Sequence, residues 1–151
     1  MREKNSDLLY VKVINASSFA LPKKQTSGAS GYDLLANLSS AKVLAPMERY
    51  LAPTGLYFEI PIGYEAQIRP RSGLAWEAGI TVLNSPGTID SDYRGEIKVL
   101  LINLGREPYT ITPGQRIAQV VFVPILNVLL QETSSLSSTG RGEQGFGYTG
   151  K

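Results

Sequence analysis

The segment Asn84–Glu96 holds the densest set of side chains capable of chemistry, including Asp90, Asp92 and Tyr93. The chain contains no histidine and no cysteine, which excludes imidazole bases, thiol nucleophiles and metal sites built from either residue. A carboxylate is then the natural group to activate water, and the tyrosine ring offers a flat surface to a sugar or a base. Either aspartate could be that base. In a purely structural hairpin, both would bond turn amides instead.

A second candidate is an anion site at Arg71, Ser72 and Gly73, which open the only convincing helix pattern, Ser72–Gly79. The unpaired N–H groups of a first helical turn, a hydroxyl and a guanidinium all favour a phosphate. The alternative is a helix capped by the Ser72 side chain, with a surface arginine before it. Phosphate transfer needs positioning and charge stabilisation more than a covalent nucleophile, so the two segments are chemically compatible.

Two isolated polar residues could complete such a site. Asp33 adds a carboxylate, and magnesium bound to a nucleotide needs only one or two of these from the protein. Gln119, like Arg116 before it, is unusual in an apolar stretch. A buried glutamine needs a hydrogen-bond partner, which could be a substrate. Otherwise Asp33 is a turn residue and Gln119 faces solvent at the end of a strand.

Alternating hydrophobicity with a period of two predicts that short strands position these residues. Gly or Pro residues separate nearly all of the predicted strands. This pattern predicts an all-β, jelly-roll-like barrel with one helix of about two turns. The predicted strands are Leu9–Ile14, Gly55–Ile60, Tyr64–Arg69, Ile80–Leu83, Glu96–Asn103, Tyr109–Thr112 and Ile117–Val123.

Composition limits the function classes. The 151 residues suit one domain, and a net charge of +2 is too balanced for a protein that coats nucleic acid. The most apolar stretch, Ile117–Leu130, is too short and too interrupted to span a bilayer, and Met1–Leu9 has no apolar leader pattern. We expect a soluble cytoplasmic protein without membrane contact.

Composition changes near Thr133, so residues 1–133 are predicted to form the barrel and 134–151 a flexible linker and glycine-rich tail. Gly145-x-Gly147-x-x-Gly150 matches a dinucleotide fingerprint only as a string, because no helix follows it. Glycines in a row can still form an anion-binding nest. With Arg141 and Phe146 among them, the tail could fold over a ligand, although a frayed terminus is the usual alternative.

Five ordered segments together closely resemble the trimeric dUTPase family of bacterial type. The resemblance covers the chain from about Leu9 to Gly150. The segments are Ala29–Leu34, Pro70–Ala75, Gly87–Glu96, Gly114–Gln119 and Arg141–Gly150.

This resemblance implies a jelly-roll-like fold and a homotrimer with three shared active sites, each closed by a C-terminal tail. The implied reaction is hydrolysis of dUTP to dUMP and pyrophosphate with Mg²⁺, without direct nucleic-acid contact. Such an activity keeps uracil out of DNA and supplies dUMP for thymidylate synthesis.

The resemblance also implies residue roles. Asp90 would bond the sugar 3′-hydroxyl and activate the attacking water, and Asp33 would help hold magnesium through water. The residues implied for uracil and deoxyribose are Asn84, Gly87, Thr88, Ile89, Tyr93 and Phe146. The residues implied for the phosphates are Arg71, Ser72, Gly73, Gln119 and Arg141.

Some positions depart from the family pattern: Gln144 replaces a small residue, Tyr148 a Ser or Thr, and Ser30 an Ala. The nearest rival is a dCTP deaminase of the same barrel, which carries an acidic base where this chain has Leu100. A non-catalytic nucleotide-binding regulator would be expected to lack Asp90. A purely structural jelly roll would leave the tail and the crowded hairpin unexplained.

Overall fold

A computed structural model describes residues 8–145 of the chain. Antiparallel strands dominate this part, and the all-β prediction is confirmed. The elements are β1 Lys12–Asn15, β2 Tyr32–Leu35, β3 Lys42–Leu44, β4 Arg49–Glu59, β5 Tyr64–Arg69, α1 Ser72–Ala78, β6 Ile80–Val82, β7 Gly87–Ile89, β8 Glu96–Asn103, β9 Tyr109–Ile111 and β10 Arg116–Pro124.

The strands form two four-stranded sheets and one additional pair. The first sheet has the order β1-β4-β8-β6 and the second β2-β10-β5-β7, while β3 pairs with β9. Apolar side chains of both sheets share one core, with Val99 and Leu101 from the first and Leu34 and Ile68 from the second. Burying each such side chain contributes about 1.5–3 kcal/mol, so the core fixes the jelly-roll-like barrel that carries the polar residues.

Strand prediction was most accurate for β5, β8 and β10, which are rich in apolar residues. The bounds of β5 and β8 match the prediction, and β10 extends one residue further at each end. The prediction missed β2, β3 and β7, and it began β4 six residues too late, at Gly55. Pro53 lies inside β4, where the ladder to β8 shifts register between Pro53 and Leu56. Such a bulge accommodates a proline that would otherwise indicate a strand end.

Helix α1 begins after the N-cap Arg71 and ends at Gly79, and none of its residues is fully buried. Ser72 is its first helical residue, so the predicted cap was wrong: Arg71 is the N-cap, and its side chain makes no capping hydrogen bond. Gly79 ends the helix at φ 69°, and a Cβ there would collide with the backbone of Gly105. Trp76 is 90% exposed. Within residues 8–145, no helix has the length and apolarity needed to cross a membrane.

The turn between β3 and β4 is closed by Glu48. Its carboxylate accepts hydrogen bonds from Lys42 Nζ at 2.7 Å and the Ala45 N–H at 2.8 Å. These bonds, Lys42 foremost, lower the pKa of the Glu48 carboxyl. The contact therefore contributes stability at neutral pH and loses it in acid, as pH falls through that lowered pKa.

Asn103 is the fully buried polar residue at the end of β8. Its Nδ2 donates to the carbonyls of Leu44 and Glu107, each at 2.9 Å, and its Oδ1 accepts the Gly105 N–H at 2.8 Å. This amide therefore ties β3, β8 and the following loop together.

Asn103→Ala is expected to lower the free energy of unfolding by about 3 kcal/mol, because buried backbone groups lose their partners. Urea unfolding at fixed protein concentration measures the change. Asn127→Ala removes an exposed asparagine and serves as the control. Equal stability of the two variants would show that the buried network contributes little.

Residues 125–145 follow β10 without forming a helix or strand. The Ile125 N–H donates to the Gly63 carbonyl at 2.9 Å. Beyond it, Leu126, Leu129 and Leu130 are 88%, 92% and 91% exposed. The described part of one chain therefore leaves this apolar run uncovered.

Candidate active site

One pocket gathers the predicted phosphate and metal residues of the barrel. Strand pairing places Gln119 of β10 between Asp33 of β2 and Arg69 of β5. Helix α1 follows β5 directly and brings Arg71, Ser72 and Gly73 to the same place. The pocket measures about 220 Å³ and is lined by Gln25, Ala29, Gly31, Asp33, Arg71, Ser72, Gly73 and Gln119.

Asp33 lies between two arginines. Arg71 Nε is 3.2 Å from its Oδ1, and Arg116 Nη1 is 3.4 Å from its Oδ2. The Asp33 side chain is only 15% exposed, against 30% for Arg71. Arg71 Nη1 also donates to the Arg116 carbonyl at 3.3 Å. The sequence marked Arg116 as unusual at the start of an apolar strand, but Arg116 was not among the predicted site residues.

Gln119 is half-buried and fits closely against Gly31. Its Nε2 donates to the Pro70 carbonyl at 3.0 Å, so in this structure its partner is the protein backbone. An amide has two N–H hydrogens, and this bond leaves one for a ligand. A Cβ at Gly31 would collide with the end of the Gln119 side chain, so a larger residue there would displace the Gln119 amide from its present position.

A second pocket, of about 390 Å³, contains the predicted base and the aromatic ring. It is lined by Leu51, Thr88, Ile89, Asp90, Tyr93, Glu96 and Lys98. The Tyr93 N–H donates to the Asp90 carbonyl at 3.2 Å, and the Tyr93 hydroxyl donates to the Glu96 carbonyl at 3.1 Å. A Cβ at Gly95 would collide with the tyrosine ring. The ring is therefore held over the hairpin backbone, with the exposed Asp90 beside it.

Strand β7 presents a free backbone edge beside this pocket. It is the last strand of its sheet, and Gly87 pairs with Ile68 of β5. The groups on its other side are unpaired within the sheet and are available to a planar ligand. Asn84 lies next to Gly87, where a Cβ would be 3.2 Å from its Nδ2. Asn84, Gly87, Thr88 and Ile89 are thus brought together.

The two pockets share no lining residue among those described. Ile89 pairs with Ala66, whereas Gln119 pairs with Arg69. Asp90 therefore lies about 13 Å along the strand direction from the Asp33–Gln119 row, and two strands away from Gln119. One chain thus does not bring Asp90 to the phosphate pocket.

None of the described tail residues, 134–145, lines either pocket. Arg141 is exposed, and its Nε donates to the Gln144 carbonyl at 2.8 Å. Phe146, the other predicted tail contact, lies outside the described residues.

The described residues fit a magnesium ion only when other groups supply most of its ligands. Within residues 8–145 there is no group of three or more Asp or Glu side chains that could hold a metal. Both oxygens of Asp33 already contact guanidinium groups. Contact with the ion through water suits this carboxylate, since magnesium on a nucleotide keeps several waters and is held largely by phosphates.

Comparisons with known proteins identify the family of the chain. A family model described as dUTPase matches residues 17–150. The deoxyuridine 5′-triphosphate nucleotidohydrolase of Cytophaga hutchinsonii is 57% identical over 141 residues, which cover 93% of this chain and 92% of that protein.

Two solved structures show the same fold. The dUTPase of Staphylococcus bacteriophage 80alpha, with dUPNHPP, is 26% identical and has a TM-score of 0.82, over 94% of this chain and 99% of that one. A mutant dUTPase from phage phi11 of S. aureus, described with a structural Mg(II) ion, is 23% identical with a TM-score of 0.75, over 83% and 97%. The family model and the identity to the Cytophaga protein are decisive: the chain belongs to the dUTPase family.

Proposed function

We propose that this chain hydrolyses dUTP to dUMP and pyrophosphate. The name of the Cytophaga relative supports the substrate. The main observation behind the proposal is that two pockets carry complementary groups. Asp90 lies beside Tyr93 in one pocket, and Arg71 and Ser72 line the other. A base beside an aromatic platform and a cationic pocket are what nucleotide hydrolysis requires.

We further propose a homotrimer in which the hairpin pocket of one subunit faces the phosphate pocket of its neighbour. The separation of the pockets on one chain supports this, because Asp90 must reach the α-phosphate that Arg71 and its neighbours hold. Residues 1–133 would form the barrel, and 134–151 would form a tail that closes a site. The tail would bring Arg141 to the terminal phosphate and Phe146 over the uracil.

Substrate selection would depend on backbone groups and one ring. The edge of β7, with Asn84, would bond one edge of uracil, and cytosine would leave buried polar groups without partners. The narrow hairpin would reject the methyl group of thymine. Tyr93 would lie under the deoxyribose and leave no room for a 2′-hydroxyl.

The reaction would use Asp90 as a general base. Its carboxylate would take a proton from water as the water oxygen bonds to the α-phosphorus, and the bond to the bridging oxygen would break to release pyrophosphate. Arg71, Ser72 and Gln119 would hold the phosphates in line. A bound Mg²⁺ would offset the negative charge of the triphosphate, and Asp33 would hold it through water. We expect the enzyme to act in the cytoplasm. There its product dUMP can supply thymidylate synthesis, and the lowered dUTP concentration keeps uracil out of DNA.

Pyrophosphate release from dUTP, UTP, dCTP and dTTP, each with magnesium and with EDTA, tests the proposed function. We expect release from dUTP that depends on the metal. The other three nucleotides should give kcat/KM values at least about 100-fold lower, because the base and sugar contacts discriminate in the transition state.

Two results would contradict the proposal. Tight dUTP binding without pyrophosphate release would indicate a nucleotide-binding regulator. Ammonia released from dCTP would indicate a deaminase, in spite of Leu100.

A further inference from the structure

A bulge in β10 determines which side chains face the phosphate pocket. Gln119 pairs with Asp33 and Ala118 with Leu34, but Arg116 pairs with Leu35, so Ile117 is an extra residue in the ladder. In a regular strand, residues three apart lie on opposite faces of the sheet. The extra residue puts Arg116 on the face of Gln119 and Asp33.

Burial agrees with this register. Ile117 and Ala118 are adjacent, yet both are buried in the core, at 2% and 0% exposure. The Arg116 side chain is 48% exposed, and its Nη1 contacts Asp33 Oδ2. The bulge therefore gives the core two consecutive apolar residues and gives the pocket one more guanidinium.

Arg71 has two possible anionic partners in the proposed reaction. In this structure its Nε contacts Asp33, while its place in the pocket suits it to bind phosphates. If Arg71 turns fully to the substrate, the half-buried Asp33 carboxylate needs another cation, because an unpaired carboxylate of low exposure is costly. Arg116 already contacts the opposite oxygen.

We propose that Arg116 is a positioning residue that holds the Asp33 carboxylate and so frees Arg71 to bind the triphosphate. This inference rests on the proposed function for its substrate. Without Arg116, Asp33 would keep Arg71 as its sole guanidinium partner among the described contacts. Arg71 would then be drawn away from the phosphates, and triphosphate binding would weaken more than the chemical step.

Steady-state kinetics of Arg116→Gln provide the first test. We expect KM for dUTP to rise about tenfold and kcat to change less than about twofold, in proportion to the loss of one charge-assisted hydrogen bond. Arg116→Lys keeps the charge without the planar fork and should recover part of the loss. Arg49→Gln is the control, since it removes the same charge from an exposed position in the other sheet.

Binding of inorganic triphosphate with Mg²⁺, followed by calorimetry, gives a readout that does not depend on turnover. In the native chain, Arg116→Gln should weaken this binding at least about fivefold. In a chain that also carries Asp33→Asn, the same substitution should hardly change the binding, because Arg116 acts through the Asp33 carboxylate. If the protein does not hydrolyse dUTP but the effect of Arg116→Gln on triphosphate binding still depends on Asp33, the proposed function is refuted and the role of Arg116 is supported.

Three results would overturn the role of Arg116. They are an unchanged KM in Arg116→Gln, equal losses of triphosphate binding in both backgrounds, and an equal loss in Arg49→Gln. Melting temperatures of all variants identify any loss that comes from unfolding, and Arg116→Lys keeps the test valid if the glutamine variant is unstable.

Discussion

Asp90→Asn should lower kcat for dUTP hydrolysis by about 10³-fold while dUTP still binds, because the amide cannot accept a proton from water. The side chain is exposed and belongs to no core contact, so the fold should persist. Pyrophosphate release measures turnover, and calorimetry with a non-hydrolysable dUTP analogue measures binding. Near-normal turnover in this variant would refute the assigned base.

Asp92→Asn is the matched control for this experiment. Asp92 is exposed two residues further along the same hairpin, and with Asp90 it lines a different hollow beside Ile125. The substitution removes the same charge, so near-normal kcat is expected. If Asp92→Asn is the more damaging of the two, the base is Asp92, an assignment that residue type alone left open.

Truncation after Ser134 should leave a folded trimer whose kcat/KM is at least about 100-fold lower. The buried apolar core of the described chain ends at Val121, and residues 135–145 are exposed, so removing that stretch takes nothing from the core. The loss would come from Arg141 and Phe146, which hold the terminal phosphate and exclude water in the proposed closed state. Circular dichroism and light scattering report fold and assembly, and pyrophosphate release reports activity.

Arg141→Ala in the full-length chain separates the two parts of the tail effect. This variant should lose part of the activity that truncation removes, because the ring of Phe146, which is proposed to cover the uracil, remains. Normal hydrolysis by the truncated chain would show that residues 135–151 do not close the site. A monomer in light scattering would instead locate a subunit contact in this segment.

The fold was predictable where local pattern and tertiary role agree. In β8, Ile97, Val99 and Leu101 are buried at alternate positions, and the predicted bounds of the strand were correct to the residue. Strand β3 has three residues and pairs with β9 alone, so long-range pairing and not its own pattern makes it a strand. The first half of β4 contains a proline that only the bulge against β8 accommodates.

The site was predictable as a set of residue types but not as an arrangement. Asp33, Arg71 and Gln119 were each chosen for their chemistry, and the structure brings them to one pocket. The distance of Asp90 from that pocket follows from strand register, which no local pattern specifies. Arg116 was omitted for the same reason, because one extra residue in β10 decides which face it occupies.

The exposed side chain on helix α1 has a spectroscopic consequence. Trp76 is the single tryptophan of the chain, it is 90% exposed, and it lies one helical turn from Ser72. Indole emission responds to local polarity and to nearby quenchers, so the signal comes from the helix that borders the phosphate pocket. Trp76 is not among the residues that pack against the core, so ligand binding beside α1 can change the emission while the barrel core stays as it is. The protein therefore carries an intrinsic fluorophore whose position makes optical titration of that pocket feasible without a label.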